Sequence, residues 1–294
     1  MAARAEAARR KRLLQARIGA GVAVVVVVGL VVWIIMATSD GGSQPVANPS
    51  AGPAQCDWTV EYETSPSASP AASLPPGIKD VGLPPTQPPQ RGFQVVTLDT
   101  NHGVTKMEMD LSKTPCTAAS IAHLANQKFY DNSTCHRLVA EIFALQCGDP
   151  SGSGSGGATY RFADENLPKD KLPAYHAGDV AMANTGQPGS NGSQFFFLWD
   201  NSTLPGNYSL FAKVFEGMDI VKKIAAGGDD GAFAEQAGGG HPKIEIKFKT
   251  VRAGPVTESS SVPAPTAAPL SPSAAPPSGS AAAPGASGSA SPQP

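Results

Sequence analysis

The sequence predicts a mainly β fold, a barrel or sandwich with helical caps, for the central part of the chain. Many short β-rich runs, only two helical segments and frequent turn residues support this prediction. Of the 28 prolines in 294 residues, 11 lie in 37–90 and 10 in 253–294. Such segments cannot bury enough apolar area to offset the entropy of the chain, so the sequence predicts one domain, at 91–252.

The predicted domain begins with a hairpin and contains two helices. Residues 93–98 and 104–109 are β-rich runs separated by a turn-type loop. A helix is predicted at 117–127, because proline precedes it and apolar residues recur at helical spacing. A second helix is predicted at 218–226, where two glycines end it.

The remaining predicted strands are short. They lie at 135–139, 142–147 and 195–199. Residues 244–248 alternate apolar and charged side chains and predict a half-buried closing strand. Because strand side chains alternate between faces, Gln194 and Phe196 are expected on one face, with Phe195 and Phe197 in the barrel core.

An uncharged, valine-rich run at 18–36 predicts a transmembrane signal-anchor helix. Its 19 residues would span about 28 Å, close to the thickness of a bilayer core. The preceding segment, 1–17, has six basic residues against one acidic residue. The positive-inside rule then predicts a single-pass membrane protein with a cytoplasmic head and an extracytoplasmic domain. A cleaved secretory signal is the alternative, because residues 37–39 resemble a cleavage site.

The segments that flank the domain are predicted to lack a packed core. Residues 37–90 predict an extended, partly polyproline linker, interrupted near Cys56 by a short segment that could pack on the domain. Residues 253–294 predict a disordered tail of Pro, Ala, Ser and Gly. The four cysteines, Cys56, Cys116, Cys135 and Cys147, permit two disulfides after export, and the spacing leaves all three connectivities open.

Several function classes are excluded by composition and motif context. A net charge of −2 argues against a basic nucleic-acid binder. No Cys-x-x-Cys pair or histidine spacing indicates a metal site, and no Gly-x-Ser-x-Gly elbow indicates a hydrolase. The glycine-rich run at 152–157 is not followed by a helix start, so we expect a flexible surface loop and not a nucleotide site. No metal or cofactor is expected.

Four local sequences are more specific. The chain contains, in this order, FYDNSTCHRLV at 129–139, FALQCGDPSGSGSGG at 143–157, DVAMANTGQPGSNGSQFFF at 179–197 and NYSLFAKVFEGMDIVKKI at 207–224. Together they resemble the cyclophilin family of peptidyl-prolyl cis-trans isomerases, across nearly all of 91–252. The anchored layout resembles exported cyclophilins of high-GC Gram-positive bacteria. The resemblance implies an eight-stranded antiparallel β-barrel capped by two helices.

The chemistry of prolyl isomerisation suits these residue types. Rotation of the amide has a barrier of about 18–20 kcal/mol, because the resonance of the amide nitrogen is lost. A catalyst needs a donor for the nitrogen lone pair, an apolar slot for the ring and hydrogen bonds that hold the flanking peptide. A guanidinium, which is always charged, suits the first role.

The resemblance implies a site built from eleven residues. Arg137 matches the catalytic arginine, and Gln146 matches the glutamine that orients it and contacts the substrate carbonyl. The peptide-holding segment corresponds to Ala183, Asn184 and Thr185. The remaining matches line the proline pocket or lie beside it: Phe143, Ala144, Gln194, Phe196, Leu204 and Tyr208.

Three positions depart from the common family pattern. Ala144 replaces a frequent methionine, Tyr208 replaces a pocket histidine, and Thr203 stands near the tryptophan that favours cyclosporin. We therefore expect weak cyclosporin binding. The turn at 139–142 and the loop at 187–190 are each one residue longer than the common form.

The sequence as a whole predicts an enzyme. We expect a monomeric peptidyl-prolyl isomerase that acts on proline-containing exported polypeptides and assists their folding, anchored to the membrane through 18–36. The alternative is a catalytically weak cyclophilin-like module that binds such peptides at the cell surface.

Overall fold

The computed structural model describes residues 55–62 and 74–263. The predicted head at 1–17 and anchor at 18–36 lie outside the described residues, as does the tail after residue 263. No helix within the described ranges is long and apolar enough to cross a membrane.

The described residues form twelve strands and two α-helices. The strands are β1 (Thr59–Val60), β2 (Ile78–Lys79), β3 (Phe93–Thr100), β4 (Gly103–Asp110), β5 (Arg137–Val139), β6 (Ala144–Cys147), β7 (Gly157–Ala158), β8 (Tyr160–Arg161), β9 (Asp179–Met182), β10 (Phe195–Leu198), β11 (Leu210–Glu216) and β12 (Phe248–Thr257). The helices are α1 (Pro115–Asn126) and α2 (Met218–Ala226), and a 3₁₀ turn spans Ala140–Ile142.

Eight of these strands form one curled sheet in the order β12-β3-β4-β11-β9-β10-β6-β5. Every pairing within this sheet is antiparallel. Backbone N–H groups of Asn132 and Cys135 donate to the carbonyls of Phe248 and Ile246, at 2.7 and 3.2 Å, and draw the two edges together. The prediction of a mainly β fold with eight antiparallel strands and two helices is confirmed. The sheet forms a curled half-barrel where a barrel was predicted.

The barrel interior is filled by alternate residues of the strands. The rings of Phe195 and Phe197 are buried there, 5.5 Å apart, and Phe195 also packs against Tyr130. Phe196, between them, belongs to a separate small cluster on the other face. The predicted alternation along β10 is confirmed, and it directs Phe196 away from the core.

Helix α1 begins at Pro115, whose fixed φ suits a first helical position. Its first turn is capped by a residue that is distant in the sequence. The Glu165 carboxylate accepts the N–H groups of Cys116 and Thr117 at 3.1 and 2.7 Å. A disulfide from Cys116 to Cys56 fastens the segment at 55–62 to this helix.

The second disulfide joins Cys135 to Cys147. One of the three possible connectivities is thereby selected. Trp58, in the fastened segment, packs edge-on against Tyr160 and Phe162 with centroids 5.5 Å away. The described parts of the predicted linker are therefore packed on the domain, since β1 and β2 also pair with β8 and β7.

The end of the domain differs from the prediction. Residues 244–247 lie outside the named strands, and the last strand begins at Phe248 and continues through Thr257. The boundary at residue 252 is therefore wrong, because it falls inside β12. Proline at position 255 suggested tail sequence, but it lies where the register of β12 against β3 is interrupted, between Ala253 and Val256, and proline is tolerated at such an irregularity of an edge strand.

Strands β9 and β11 are the two members of the sheet that the residue pattern did not predict. All four residues of β9 are buried. A strand covered on both faces shows no alternation of apolar and polar residues.

Candidate functional site

Two neighbouring strands carry the predicted catalytic pair. Arg137 on β5 lies directly opposite Gln146 on β6 in the antiparallel register. Arg137 Nη1 donates to Gln146 Oε1 at 3.0 Å. The structure therefore brings together the guanidinium and the amide that the sequence placed at the site.

A relay of amide hydrogen bonds continues from this pair across the sheet. Gln146 Nε2 donates to Gln194 Oε1 at 2.8 Å. Gln194 Nε2 in turn donates to the carbonyls of Gly154 and Gly156, both at 2.9 Å. Because those carbonyls only accept, the orientation of Gln194 is fixed, and with it the orientation of Gln146. The relay thus ensures that an oxygen, and not an NH₂ group, faces Arg137.

Backbone carbonyls hold the other side of the guanidinium. Arg137 Nε donates to the Gly238 carbonyl at 3.0 Å, and Nη2 donates to the Ala237 carbonyl. A guanidinium has five N–H donors, so these three bonds leave one N–H on each Nη atom. Burial lowers the pKa of Arg137, yet the group remains a cation at neutral pH.

A cavity of about 110 Å³, lined by both apolar and polar side chains, lies beside the guanidinium. Two aromatic rings form part of it, Phe196 and Tyr208, which meet edge-on at 5.4 Å. The Tyr175 hydroxyl binds both the N–H and the carbonyl of Tyr208 at 2.8 Å and fixes that backbone. The lining consists of Arg137, Val139, Ile142, Ala144, Gln146, Ala183, Asn184, Phe196, Leu204 and Tyr208.

Two further depressions share lining residues with the cavity, and the three together form a groove. One, of about 250 Å³, shares Gln146 and Asn184 with the cavity and adds Thr185, Gln194 and Arg161. The other, of about 180 Å³, shares Asn184 and Tyr208 with the cavity. A groove of this form suits an extended peptide with one side chain in the central cavity.

Phe143 is the one predicted site residue that lines neither the cavity nor its two neighbours. Its ring packs edge-on against Trp199, with centroids 6.1 Å apart. The longer turn ends in a 3₁₀ helix, and Phe143 adopts a left-handed conformation with φ of 58°. Val139 and Ile142 form the cavity wall on this side, and the sequence analysis did not identify them.

The loop that holds Arg137 was also missed by the sequence analysis. Gly238 and Gly239 have positive φ, 80° and 69°, and a Cβ at Gly239 would lie 2.0 Å from the Leu138 carbonyl oxygen. The three consecutive glycines at 238–240 were the available signal, since glycine is favoured where backbones approach closely.

The glycine-rich run at 152–157, which we expected to be a flexible loop, is held by backbone hydrogen bonds. The Asp149 carboxylate accepts the N–H groups of Ser151, Gly154 and Gly156 at 2.7, 2.6 and 2.9 Å. Burial opposes ionisation of Asp149, but these hydrogen bonds outweigh it and lower the pKa. The loop thereby presents the two carbonyls that orient Gln194.

His136 precedes Arg137 and is buried. Desolvation lowers the pKa of its imidazole, which favours the neutral form at pH 7. His136 does not line the central cavity, and Arg137 is the one cation among the described residues that do.

Comparisons with known proteins agree with this geometry. The family described as "Cyclophilin type peptidyl-prolyl cis-trans isomerase/CLD" matches residues 95–251. A relative from Mycobacterium leprae, "Probable peptidyl-prolyl cis-trans isomerase B", is 35% identical over an alignment of 212 residues that covers 64% of this chain and 70% of that protein. A relative of the same name from Mycobacterium tuberculosis is 36% identical over an alignment of 203 residues that covers 65% of this chain and 62% of that protein.

One solved structure also resembles the chain. It is described as a cyclophilin type peptidyl-prolyl cis-trans isomerase of Cryptosporidium parvum, and the match covers 56% of this chain and 99% of that one. The sequence identity is 29% and the TM-score is 0.49.

Proposed function

The chain belongs to the cyclophilin-type peptidyl-prolyl cis-trans isomerase family, and from this premise we propose that it acts on exported polypeptides and assists their folding. The isomerase activity follows from membership of the family. The residues that perform the reaction, the substrates and the location outside the membrane are the proposed parts.

We assign catalysis to Arg137. As the prolyl amide twists, its nitrogen regains a lone pair and becomes a hydrogen-bond acceptor. Two N–H groups of Arg137 have no partner among the described residues and supply a charged donor at the rim of the cavity, and this observation carries the proposal. A donor that is stronger toward the twisted nitrogen than toward the planar amide lowers the barrier.

The groove assigns the remaining roles. The proline ring enters the central cavity between Phe196 and Leu204, above Ala144. Gln146 orients the guanidinium and contacts the carbonyl that precedes proline, and the backbone of Asn184 pairs with the residue before proline. Extended residues farther along the peptide lie over Thr185 and Gln194. No proton transfer is required in this mechanism.

Two features support a location outside the membrane. The basic segment at 1–17 and the uncharged run at 18–36 predict an anchor with an extracytoplasmic domain. All four cysteines are paired in disulfides, which persist in oxidising compartments. Exported polypeptides with X-Pro bonds are therefore the substrates that the domain would meet.

The activity is tested on the purified full chain in detergent with an X-Pro peptide, by NMR exchange between the cis and trans signals. We expect line broadening that increases with enzyme concentration and is abolished in Arg137→Ala. Equal exchange rates for wild type and Arg137→Ala would refute the catalytic assignment. Peptide binding without exchange would favour the binding-module alternative.

The topology is tested by adding protease to protoplasts that express the chain. We expect the domain to be removed while residues 1–17 are protected. Protection of the domain would place it in the cytoplasm and overturn the proposed location.

Cyclosporin binding is tested by isothermal titration calorimetry. The resemblance implies a tryptophan near position 203 in family members that bind cyclosporin, and this chain has Thr203 there. We therefore expect it to bind cyclosporin weakly. Thr203→Trp should tighten this binding, and tight binding by the wild type would contradict the reasoning.

A further inference from the structure

The Cys135–Cys147 disulfide brackets the two side chains at the centre of the site. Cys135 lies two residues before Arg137, and Cys147 directly follows Gln146. Both sulfurs are buried in the barrel core, on the face opposite the groove. The disulfide thus links strand β6, at Cys147, to the residue that lies two positions before strand β5.

Strand β5 is held on its outer side by one residue pair, in which Leu138 exchanges two backbone hydrogen bonds with Gly240 at 2.8 and 3.1 Å. It is three residues long and forms one edge of the sheet, so that β6 is its only partner in the sheet. The register that places Arg137 opposite Gln146 consists of three residue pairs. A covalent link at the end of such a short ladder limits sliding and fraying of the edge strand.

We propose that the Cys135–Cys147 disulfide positions Arg137 against Gln146, so that the isomerase reaches full activity only when this disulfide is formed. The inference rests on the proposed role of Arg137. Cys135 and Cys147 do not touch the substrate; they act through the strand register and are positioning residues.

The other disulfide provides a matched control within the same chain. Cys56–Cys116 joins the segment at 55–62 to helix α1, and neither cysteine lies on a strand that carries the catalytic pair. Its cysteines are 60 residues apart, against 12 for the bracketing disulfide. Loss of the longer loop constraint is expected to destabilise the fold more.

The redox step is a thiol–disulfide exchange with a dithiol. One thiolate of the reductant attacks a sulfur of the Cys135–Cys147 bond, forms a mixed disulfide and releases the other cysteine as a thiolate. The second thiolate of the reductant then attacks the mixed disulfide and releases the remaining cysteine. Cys135 and Cys147 become thiols, and the reductant becomes a cyclic disulfide. Two electrons and two protons pass from reductant to protein. Because both sulfurs are buried, the exchange requires local opening of this edge of the sheet.

The experiment compares two double variants of the full chain, C135A/C147A and C56A/C116A. Cis–trans exchange gives kcat and KM, and thermal denaturation gives Tm. We expect C135A/C147A to lose roughly tenfold in kcat with KM within about twofold, because a small displacement of a catalytic group acts on the transition state. C56A/C116A should have the lower Tm but a kcat within about twofold of wild type.

Treatment with a dithiol gives a second, reversible readout. Wild type and C56A/C116A should both lose activity on reduction and regain it on reoxidation, whereas C135A/C147A should not respond. The proposal is overturned if C135A/C147A keeps wild-type kcat, or if kcat falls in both variants in proportion to Tm.

An NMR signal separates this proposal from the proposed function. The Arg137 Nε–H donates to the Gly238 carbonyl, and its resonance should shift in C135A/C147A but not in C56A/C116A. If the wild type lacked isomerase activity while this shift appeared, the positioning would stand and the catalytic role of Arg137 would fail. An unchanged resonance would refute the positioning itself.

Discussion

Replacement of Arg137 by lysine tests whether catalysis depends on the number of donors or on charge alone. The guanidinium has five N–H groups, and three of them bind Gln146, Ala237 and Gly238. An ammonium has only three. If it reaches the same acceptors, Arg137→Lys retains the positive charge and has no donor left for the prolyl nitrogen.

The magnitude follows from the interaction that is lost. A hydrogen bond that involves a charged group contributes about 1.5–3 kcal/mol, which corresponds to roughly a 10- to 150-fold change in rate. We therefore expect kcat of Arg137→Lys to fall by that factor, while KM changes little because the cavity is intact. Cis–trans exchange by NMR on a tetrapeptide with a central X-Pro bond measures both constants.

Arg252→Lys is the matched control. Arg252 forms a two-pronged ion pair with Asp131, both N···O distances being 2.7 Å, and it lies on β12 at the opposite edge of the sheet from β5. This variant should lose stability and keep its kcat. The reasoning is refuted if Arg137→Lys retains activity within twofold of wild type, since a point charge would then suffice.

Three further outcomes are expected. Tyr130→Phe should destabilise the domain by about 1–2 kcal/mol in urea denaturation, because the buried Tyr130 hydroxyl donates to the Ser193 carbonyl at 3.0 Å; an unchanged midpoint would contradict this. The hydrogen bond from Arg252 lowers the pKa of Asp131 in the folded protein. The ionised Asp131 therefore stabilises the fold fully above its pKa in the unfolded chain, about 3.9, and this stabilisation is lost as the pH falls through the lower pKa of the folded state. Asp131→Asn should therefore be less stable than wild type at pH 7, with the gap closing below about pH 4; a constant gap would be inconsistent. Asp230→Ala removes a carboxylate that accepts two backbone N–H groups of the loop at 229–241, and carbonyls of this loop hold the Arg137 guanidinium. We expect kcat to fall severalfold at an unchanged Tm; equal losses in kcat and Tm would indicate a structural role only.

The residues that face the groove were largely predictable from local sequence. Alternation along β10 separated Phe196 from the core phenylalanines, and the structure confirms it. Arg137, Gln146 and Gln194 were identified from motif context, and they lie within one hydrogen-bonded relay. Period-two patterns fix the face of a side chain, because the geometry of a strand is local.

Phe143 and the loop at 237–238 mark the limit of that reasoning. Phe143, directly after the 3₁₀ turn, adopts a left-handed conformation and packs against Trp199. The carbonyls that hold Arg137 come from a segment about 100 residues later in the chain. Neither contact leaves a periodic signal, because each depends on how distant segments meet.

The sequence by itself determined the class of fold, the family resemblance and most of the groove, since these depend on local periodicity and contiguous motifs. Only the tertiary structure decided which cysteines pair, where the last strand ends and which N–H groups of Arg137 have no partner among the described residues. Those features depend on non-local contacts. The antiparallel pairing of β5 with β6 brings Cys135, two residues before β5, within 4.0 Å of Cys147 between their Cα atoms, whereas spacing alone left this pairing one of three possibilities.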